Sequence, residues 1–393
     1  PLLERLLLLC LLFIFGLFLG RASLFACVIL VCGSVGGVLL LLRPTLGLYL
    51  LAFTVPFGSL RELQFGGVTF GPSEAVLLAT LGAWLLHVMA FQRTVLRGAP
   101  LIWAISLYLG AMLLSLWPAS NMMAAFKRLA KWIEFALLYL FVAREVDRGE
   151  RQALVGVLLL AGTCQGALGI YQFMRQMGPE AFVLFGRYMR AHGTFAQPNP
   201  FGGYVGLLLP LAYTAWFGLW RKAWSTRDLS LLALWSMAAV ATVVLFAALV
   251  MSWSRGALLG FVGGLVLVGF GLGRRAWALV LTGVLLVLSL APYLIPLLPV
   301  GLVRRFSDLA RYLGQDLTAI EITDVNFSII ERVAHWQAAW RMFTAHPWLG
   351  VGTGQYATAY ASVALPRSQN TLGHDPNYSL HEMAKEGLLG LTD

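Results

Sequence analysis

Charge is scarce in this chain. Asp, Glu, Lys and Arg together make up 12% of its 393 residues, whereas 59% are hydrophobic and the mean hydropathy is +0.78. No single soluble core absorbs that much apolar surface, so a water-soluble globular enzyme is excluded and an all-α polytopic membrane protein is expected. Cysteine is rare as well. Cys10, Cys27, Cys32 and Cys164 all stand inside apolar runs, which suits small packing residues and excludes a disulfide framework or a metal cluster. Neither a metal nor another cofactor is expected. The apolar stretch Leu6–Gly20 lacks a clear small-residue cleavage site and is read as a helix, not a leader. Matched internal repeats of the kind common in transporters are missing too.

What fills the chain is a series of runs long enough to cross a hydrocarbon layer at about 1.5 Å per helical residue. Candidate spans lie at 6–20, 22–42, 44–58, 73–91, 100–118, 121–143, 150–175, 199–220, 229–252, 256–273 and 276–298, and a further one opens near Asn377. About 12 transmembrane helices are therefore expected, the last truncated at Asp393. Three regions follow: a transmembrane helical bundle at 1–300, a large polar loop containing short helices at 301–376, and the start of a further transmembrane helix at 377–393. Small-residue spacings at Gly33/Gly37, Gly162/Gly166 and Gly260/Gly264 read as close helix packing.

Lys and Arg number 28 against 18 Asp and Glu, a formal charge of +10. Part of that excess is topological. With a cytoplasmic N-terminus the inner turns carry Arg43; Arg93 and Arg97; Arg144, Arg148 and Arg151; Arg221, Lys222 and Arg227; and Arg274 and Arg275, as the positive-inside rule asks. The segments 187–198 and 252–256 and the polar loop then share the outer face. Cations remain there that topology does not explain. They are Arg187, Arg190, Arg255, Arg304 and Arg305, joined by Lys127, Arg128 and Lys131 at the outer start of a span. Lys127, Lys131 and Glu134 fall on one helix face, and ionisable groups at that depth usually border a cavity. Snorkelling with a Lys131–Glu134 ion pair is the plain reading; a basic pocket for a lipid-linked phosphate or diphosphate is the sharper one. No nucleic-acid partner is expected.

Individual segments carry further signals. In the stretch from Arg187 to Tyr204, Asn199 and Pro200 suit a helix cap and first helical residue, while Arg190 and His192 stand at the helix mouth. Arg255 follows the tight turn Ser252-Trp253-Ser254. In the polar loop, Ser328 to Glu331 forms a capping-box pattern that opens a helix to about Ala345, and Trp336, Trp340 and Trp348 suit the membrane interface. Gly350, Gly352 and Gly354 lack the strand-turn-helix context of a nucleotide fingerprint, which is rejected. Asp375 and Pro376 read as a cap and first helical residue. His374 would then stand at the positive end of a helix, where it stays neutral and is suited to act as a general base.

Taken together and in order, several segments resemble the O-antigen ligase and O-antigen polymerase superfamily of membrane glycosyltransferases. They are Gly193-Thr-Phe-Ala-Gln-Pro-Asn199, Ser254-Arg255-Gly256, Glu331-Arg332 with Trp336, His346 to Gly354, and Asn377-Tyr-Ser-Leu380 leading to Gly387-Leu-Leu-Gly390. The resemblance covers roughly the second half of the chain. It implies a metal-independent, inverting enzyme in the bacterial inner membrane that takes a glycan from undecaprenyl diphosphate on the periplasmic face. Ligases pass the glycan to the lipid A core oligosaccharide and polymerases to another lipid-linked repeat unit; a protein acceptor is a third version, and a lipid-linked glycan transporter is an alternative of another class. Carried over by position, Arg255 and Arg190 would hold the diphosphate; Arg128 or Lys131 of the basic stripe would join them, and His374 would serve as the catalytic base. His192, Glu331, Arg332 and Asn377 are candidates on the acceptor side. The chain departs from the family pattern where a histidine usually precedes the asparagine: Pro376 stands there, with His374 two residues earlier. Lys385 likewise occupies a place that is commonly acidic.

Overall fold

The computed structural model describes residues 24–58, 63–65, 68–91, 99–184, 186–271, 273–294, 327–363 and 378–391. In chain order the helices are α1 (Leu24–Leu42), α2 (Leu46–Phe57), α3 (Pro72–Ala90), α4 (Ile102–Leu114), α5 (Met122–Glu145), α6 (Arg148–Arg175) and α7 (Pro198–Thr226). They continue with α8 (Leu229–Ser252), α9 (Arg255–Gly271), α10 (Arg274–Leu294), α11 (Phe327–Ala345), α12 (Tyr356–Val363) and α13 (Tyr378–Glu386). Two small antiparallel hairpins pair β1 (Leu63–Phe65) with β2 (Val68–Phe70) and β3 (Val183–Leu184) with β4 (Tyr188–Met189).

The helices from 24 to 294 follow the expected spans within a few residues. Among the described residues α3, α6, α7 and α8 are long and apolar enough to cross a membrane, and α2, α4 and α9 are shorter apolar helices. The chain is a helical, multi-pass membrane protein. The span expected at 6–20 lies outside the described residues, as do residues 301–326 and 364–376 of the polar loop. Local signals set several ends. Asp147 accepts from the Glu150 amide at 2.7 Å while Glu150 reaches back to the Asp147 amide at 3.3 Å, a reciprocal cap that starts α6. Asp228 caps α8 through the Ser230 amide at 2.9 Å.

The contacts divide the chain into two compact units, Pro1–Thr94 with Glu145–Gly264, and Val95–Arg144 with Leu265–Asp393. The first is built on α6, α7 and α8, whose buried residues include Phe201, Val205, Leu209, Leu245 and Leu249. Of the three small-residue spacings only Gly162/Gly166 lies in a tight interface throughout: a Cβ on Gly162 would overlap Leu208 Cδ1, and one on Gly166 would stand 3.1 Å from Val244 Cγ1. Gly33, Gly37 and Gly260 face open space. Gly162→Leu is expected to destabilise the unit by about 1–3 kcal/mol through overpacking, read as a lower thermal midpoint in detergent. Cys164 differs from expectation. It lies on the exposed side of α6, because the Gly162/Gly166 face turns inward and Cys164 turns away from it.

In the second unit α11, α12 and α13 enclose Ala338, Ala339, Met342, Tyr356, Tyr360 and Ala384, while Tyr108, Met112 and Leu129 join α4 to α5. On α11 Ile330, Val333 and Ala334 are buried, whereas Trp340, and Trp348 beyond the helix end, are exposed. Phe327 is already helical, so Ser328 lies inside α11 and not at its cap. The described part of the expected final span is the nine-residue α13, which gives way at Gly387, in left-handed conformation, to a 3-10 turn at Gly387–Leu391.

Candidate functional site

In the first unit the segment after β4 crosses the turn between α8 and α9. The Ala191 amide donates to the Met251 carbonyl at 3.0 Å, and Arg190 Nε donates to the Ser252 carbonyl at 2.8 Å. A second guanidinium nitrogen, Nη2, donates to Asn199 Oδ1 at 2.7 Å. The turn itself is tightly made. Trp253 takes a left-handed conformation and the Ser252 hydroxyl accepts from the Ser254 amide at 3.2 Å, so that Arg255 opens α9 directly after it. Two arginines that are 65 positions apart by number are thus presented by one turn, Arg190 bonded to its start and Arg255 at its end.

Polar side chains of α6 support this segment from below. Gln172 Oε1 accepts from the Gly193 amide and its Nε2 donates to the Gly193 carbonyl, both at 2.8 Å. Gln165 Oε1 accepts from the Thr194 amide at 3.1 Å, and its Nε2 donates to the Pro56 carbonyl at 2.9 Å. Gly193 has φ +58°, and a Cβ there would stand 3.0 Å from the Phe201 ring. Gly202 lets α7 approach the turn: a Cβ on it would lie 2.8 Å from Ser252 Oγ and Ser254 Cβ. Asn199 is not the helix cap that was expected. Gln197 occupies that place with Pro198 as the first helical residue, which frees the Asn199 amide to accept from Arg190. His192 packs edge-on to Phe182 at 5.1 Å, with Nδ1 3.3 Å from the Arg190 carbonyl.

In the second unit Arg128 Nη2 meets Glu382 Oε1 at 3.2 Å, and Lys131 lies 3.5 Å from Glu134. The expected ion pair of Lys131 is therefore formed. Glu382 is almost wholly buried. Its carboxylate accepts from the Tyr108 hydroxyl at 2.9 Å and from Lys385 Nζ at 2.9 Å. Sequence reasoning singled out Arg128 but missed the cluster it joins. The Glu382/Lys385 spacing on one helix face was a visible signal, but Tyr108 sits in an apolar run that shows nothing of its partner. A second missed feature is aromatic: buried His335 stacks on Tyr360 at 4.3 Å with its Nδ1 3.0 Å from the Tyr356 hydroxyl.

The three glycines rejected as a nucleotide loop have a structural task. The Val351 and Gly352 amides donate to the carbonyls of Ala384 and Lys385 at 2.9 and 3.0 Å, and Thr353 and Gln355 tie the same strap to Met112, Ser115 and Asn121. Glu331 and Arg332 stand together on α11, both half-buried. Burial pushes the Glu331 carboxyl above its usual range, and Arg332 opposes this. The native state then holds that proton more tightly than the unfolded chain does. The resulting penalty is absent below the unfolded pKa and grows as pH rises through the native one. Glu331→Gln is accordingly expected to melt about 1–3 °C above the parent at pH 7 and to match it near pH 4 in thermal scans. His374 and Asn377 lie outside the described residues. Among the described residues no group of three His, Cys, Asp or Glu side chains is placed to hold a metal ion.

Residues 240–392 match the family model described as O-antigen ligase. The match supports the O-antigen ligase and polymerase superfamily for this chain. No curated protein matches it. The matched segment contains the Ser252–Ser254 turn, Arg255, Glu331, Arg332, His374, Asn377, Glu382 and Lys385, whereas Arg128, Lys131, Arg190 and His192 precede it. The superfamily supports ligase- or polymerase-type glycosyl transfer in general, with a lipid-linked glycan as substrate and a sugar or lipid as acceptor.

Proposed function

We propose that this protein is a ligase-type glycosyltransferase of the bacterial inner membrane that moves a glycan from undecaprenyl diphosphate to the lipid A core oligosaccharide on the periplasmic face. The observation that carries the reading is Arg190 and Arg255 at one turn, the guanidinium of Arg190 held by a backbone carbonyl and Asn199 and Arg255 opening α9 directly after it. Breaking the bond between the anomeric carbon and a diphosphate oxygen leaves an electron pair and a growing charge on that oxygen. Fixed guanidinium groups stabilise such charge without reorganising.

In this reading His374 takes the proton from the acceptor hydroxyl as its oxygen attacks the anomeric carbon, and the diphosphate leaves from the opposite side with inversion. Arg128 and Lys131 are candidate diphosphate ligands, and His192, Glu331, Arg332 and Asn377 are candidates for the acceptor. No step is assigned to a metal. The reading is tested by incubating membranes containing the protein with a labelled diphosphate-linked glycan and lipid A core. Label on the core is the expected product. Longer lipid-linked chains would make the protein a polymerase, labelled protein would make it a protein glycosyltransferase, and unchanged donor moved across the membrane would make it a transporter.

A further inference from the structure

We infer that Glu382 is a positioning residue that orients the guanidinium of Arg128 toward a diphosphate, with Tyr108 and Lys385 holding the carboxylate in place. The inference rests on the reading above for its ligand and extends it to a residue to which that reading gives no role. It starts from an imbalance. Arg128 is 35% exposed at its side chain, whereas the Glu382 side chain to which it bonds is only 3% exposed. A buried carboxylate with a single exposed partner would be costly, because a charge removed from water needs several donors to replace its hydration. Glu382 has them. Tyr108, 2% exposed, donates to Oε2 at 2.9 Å, and Lys385 Nζ lies 2.9 Å from both carboxylate oxygens.

The consequence for Arg128 is orientation. Lys385 reaches both oxygens of Glu382, so the carboxylate's charge is divided between two cations and Arg128 is aimed without being fully neutralised. A guanidinium has five N–H donors, and the contact with Glu382 at 3.2 Å uses one of its nitrogens. The Arg128 Nε is buried with no hydrogen-bond partner among the described residues, and the donors that Glu382 does not use are left to meet another anion. Arginines suited to phosphate work in this way, with one edge fixed by the protein and another presented bidentately to ligand oxygens. Glu382 and Lys385 come from α13, Tyr108 from α4 and Arg128 from α5, so three helices of one unit converge on the group. Convergence of this kind from distant parts of the chain exceeds what is needed to bind α13 in place, since the backbone strap at 351–353 already does that.

The test is binding of farnesyl diphosphate, a short polyprenyl diphosphate, to the purified full chain in detergent, with inorganic pyrophosphate run in parallel to separate the anion from the lipid. Arg128→Gln and Glu382→Gln are each expected to weaken binding about tenfold, and the double variant is expected to bind no more weakly than either single one, because both remove one contact. Tyr108→Phe, which deletes a single hydrogen bond and keeps every charge, is expected to weaken binding about threefold. It serves where Glu382→Gln does not fold. Losses that add in the double variant would make Glu382 a purely structural residue and overturn the inference. So would a parent that binds neither ligand, or an Arg128→Gln variant that binds as the parent does. A protein that binds through this network yet transfers no glycan would instead count against the transferase reading and leave the positioning role standing.

Discussion

Arg255→Ala is expected to lower the rate of glycan transfer by about 10²–10³-fold, the size of effect seen when one fixed donor to a developing oxyanion is lost. The expectation follows from the turn. Arg255 opens α9 directly after Ser254, whose amide is held by the Ser252 hydroxyl, so its starting position on the backbone is set before any ligand arrives. Arg255→Lys restores charge but not the planar fork, and an intermediate rate is expected. Transfer measured in membranes at matched protein amounts checks both variants, and saturation with donor separates weaker binding from slower chemistry. Arg190→Ala is expected to fall in the same direction, and its effect should overlap with that of Arg255→Ala because the two groups border one turn. An Arg255→Ala enzyme that turns over as fast as the parent would remove Arg255 from the diphosphate site.

Gly350→Val and Gly387→Val are expected to prevent folding of the second unit. Both positions have left-handed backbone, with φ +65° and +66°, where a side chain costs about 1–2 kcal/mol before any contact is counted. The contacts are worse. A Cβ on Gly350 would overlap the Lys385 carbonyl, and one on Gly387 would overlap the Trp348 carbonyl, so each glycine is pressed against the backbone beside the other. Backbone cannot swing aside as a side-chain end can, and losses above about 4 kcal/mol are the expected scale. The outcome would be little folded protein by gel filtration. A monodisperse Gly350→Val with the parent's thermal midpoint would contradict the packing described for this strap.

Much of the fold was legible because lipid-length apolar runs are bounded by a few strong signals. The span expected at 229–252 is α8, Leu229–Ser252, since Asp228 supplies a cap at one end and the Ser-Trp-Ser turn closes the other. That the 187–198 and 252–256 segments lie together was legible, for Arg190 bonds to the Ser252 carbonyl. The particular partners were not. An Asn beside Pro reads as a cap whether or not it is one, so nothing in the sequence distinguished Asn199 as a cap from Asn199 as the acceptor for Arg190. Tyr108 and Glu382 are separated by 274 residues, and a tyrosine within an apolar run has the same local pattern whether its hydroxyl faces lipid or a carboxylate. The glycines at 350–354 showed by context what they were not, and only their contacts reveal that they let two backbone segments touch.

The most direct test of the central claim is turnover of a purified diphosphate-linked glycan by the purified chain with lipid A core as acceptor, comparing the parent with folded Arg255→Ala and His374→Ala variants. The account predicts labelled core and released undecaprenyl diphosphate from the parent, and loss of both products in each variant. A parent that transfers no glycan to any sugar or protein acceptor would contradict it.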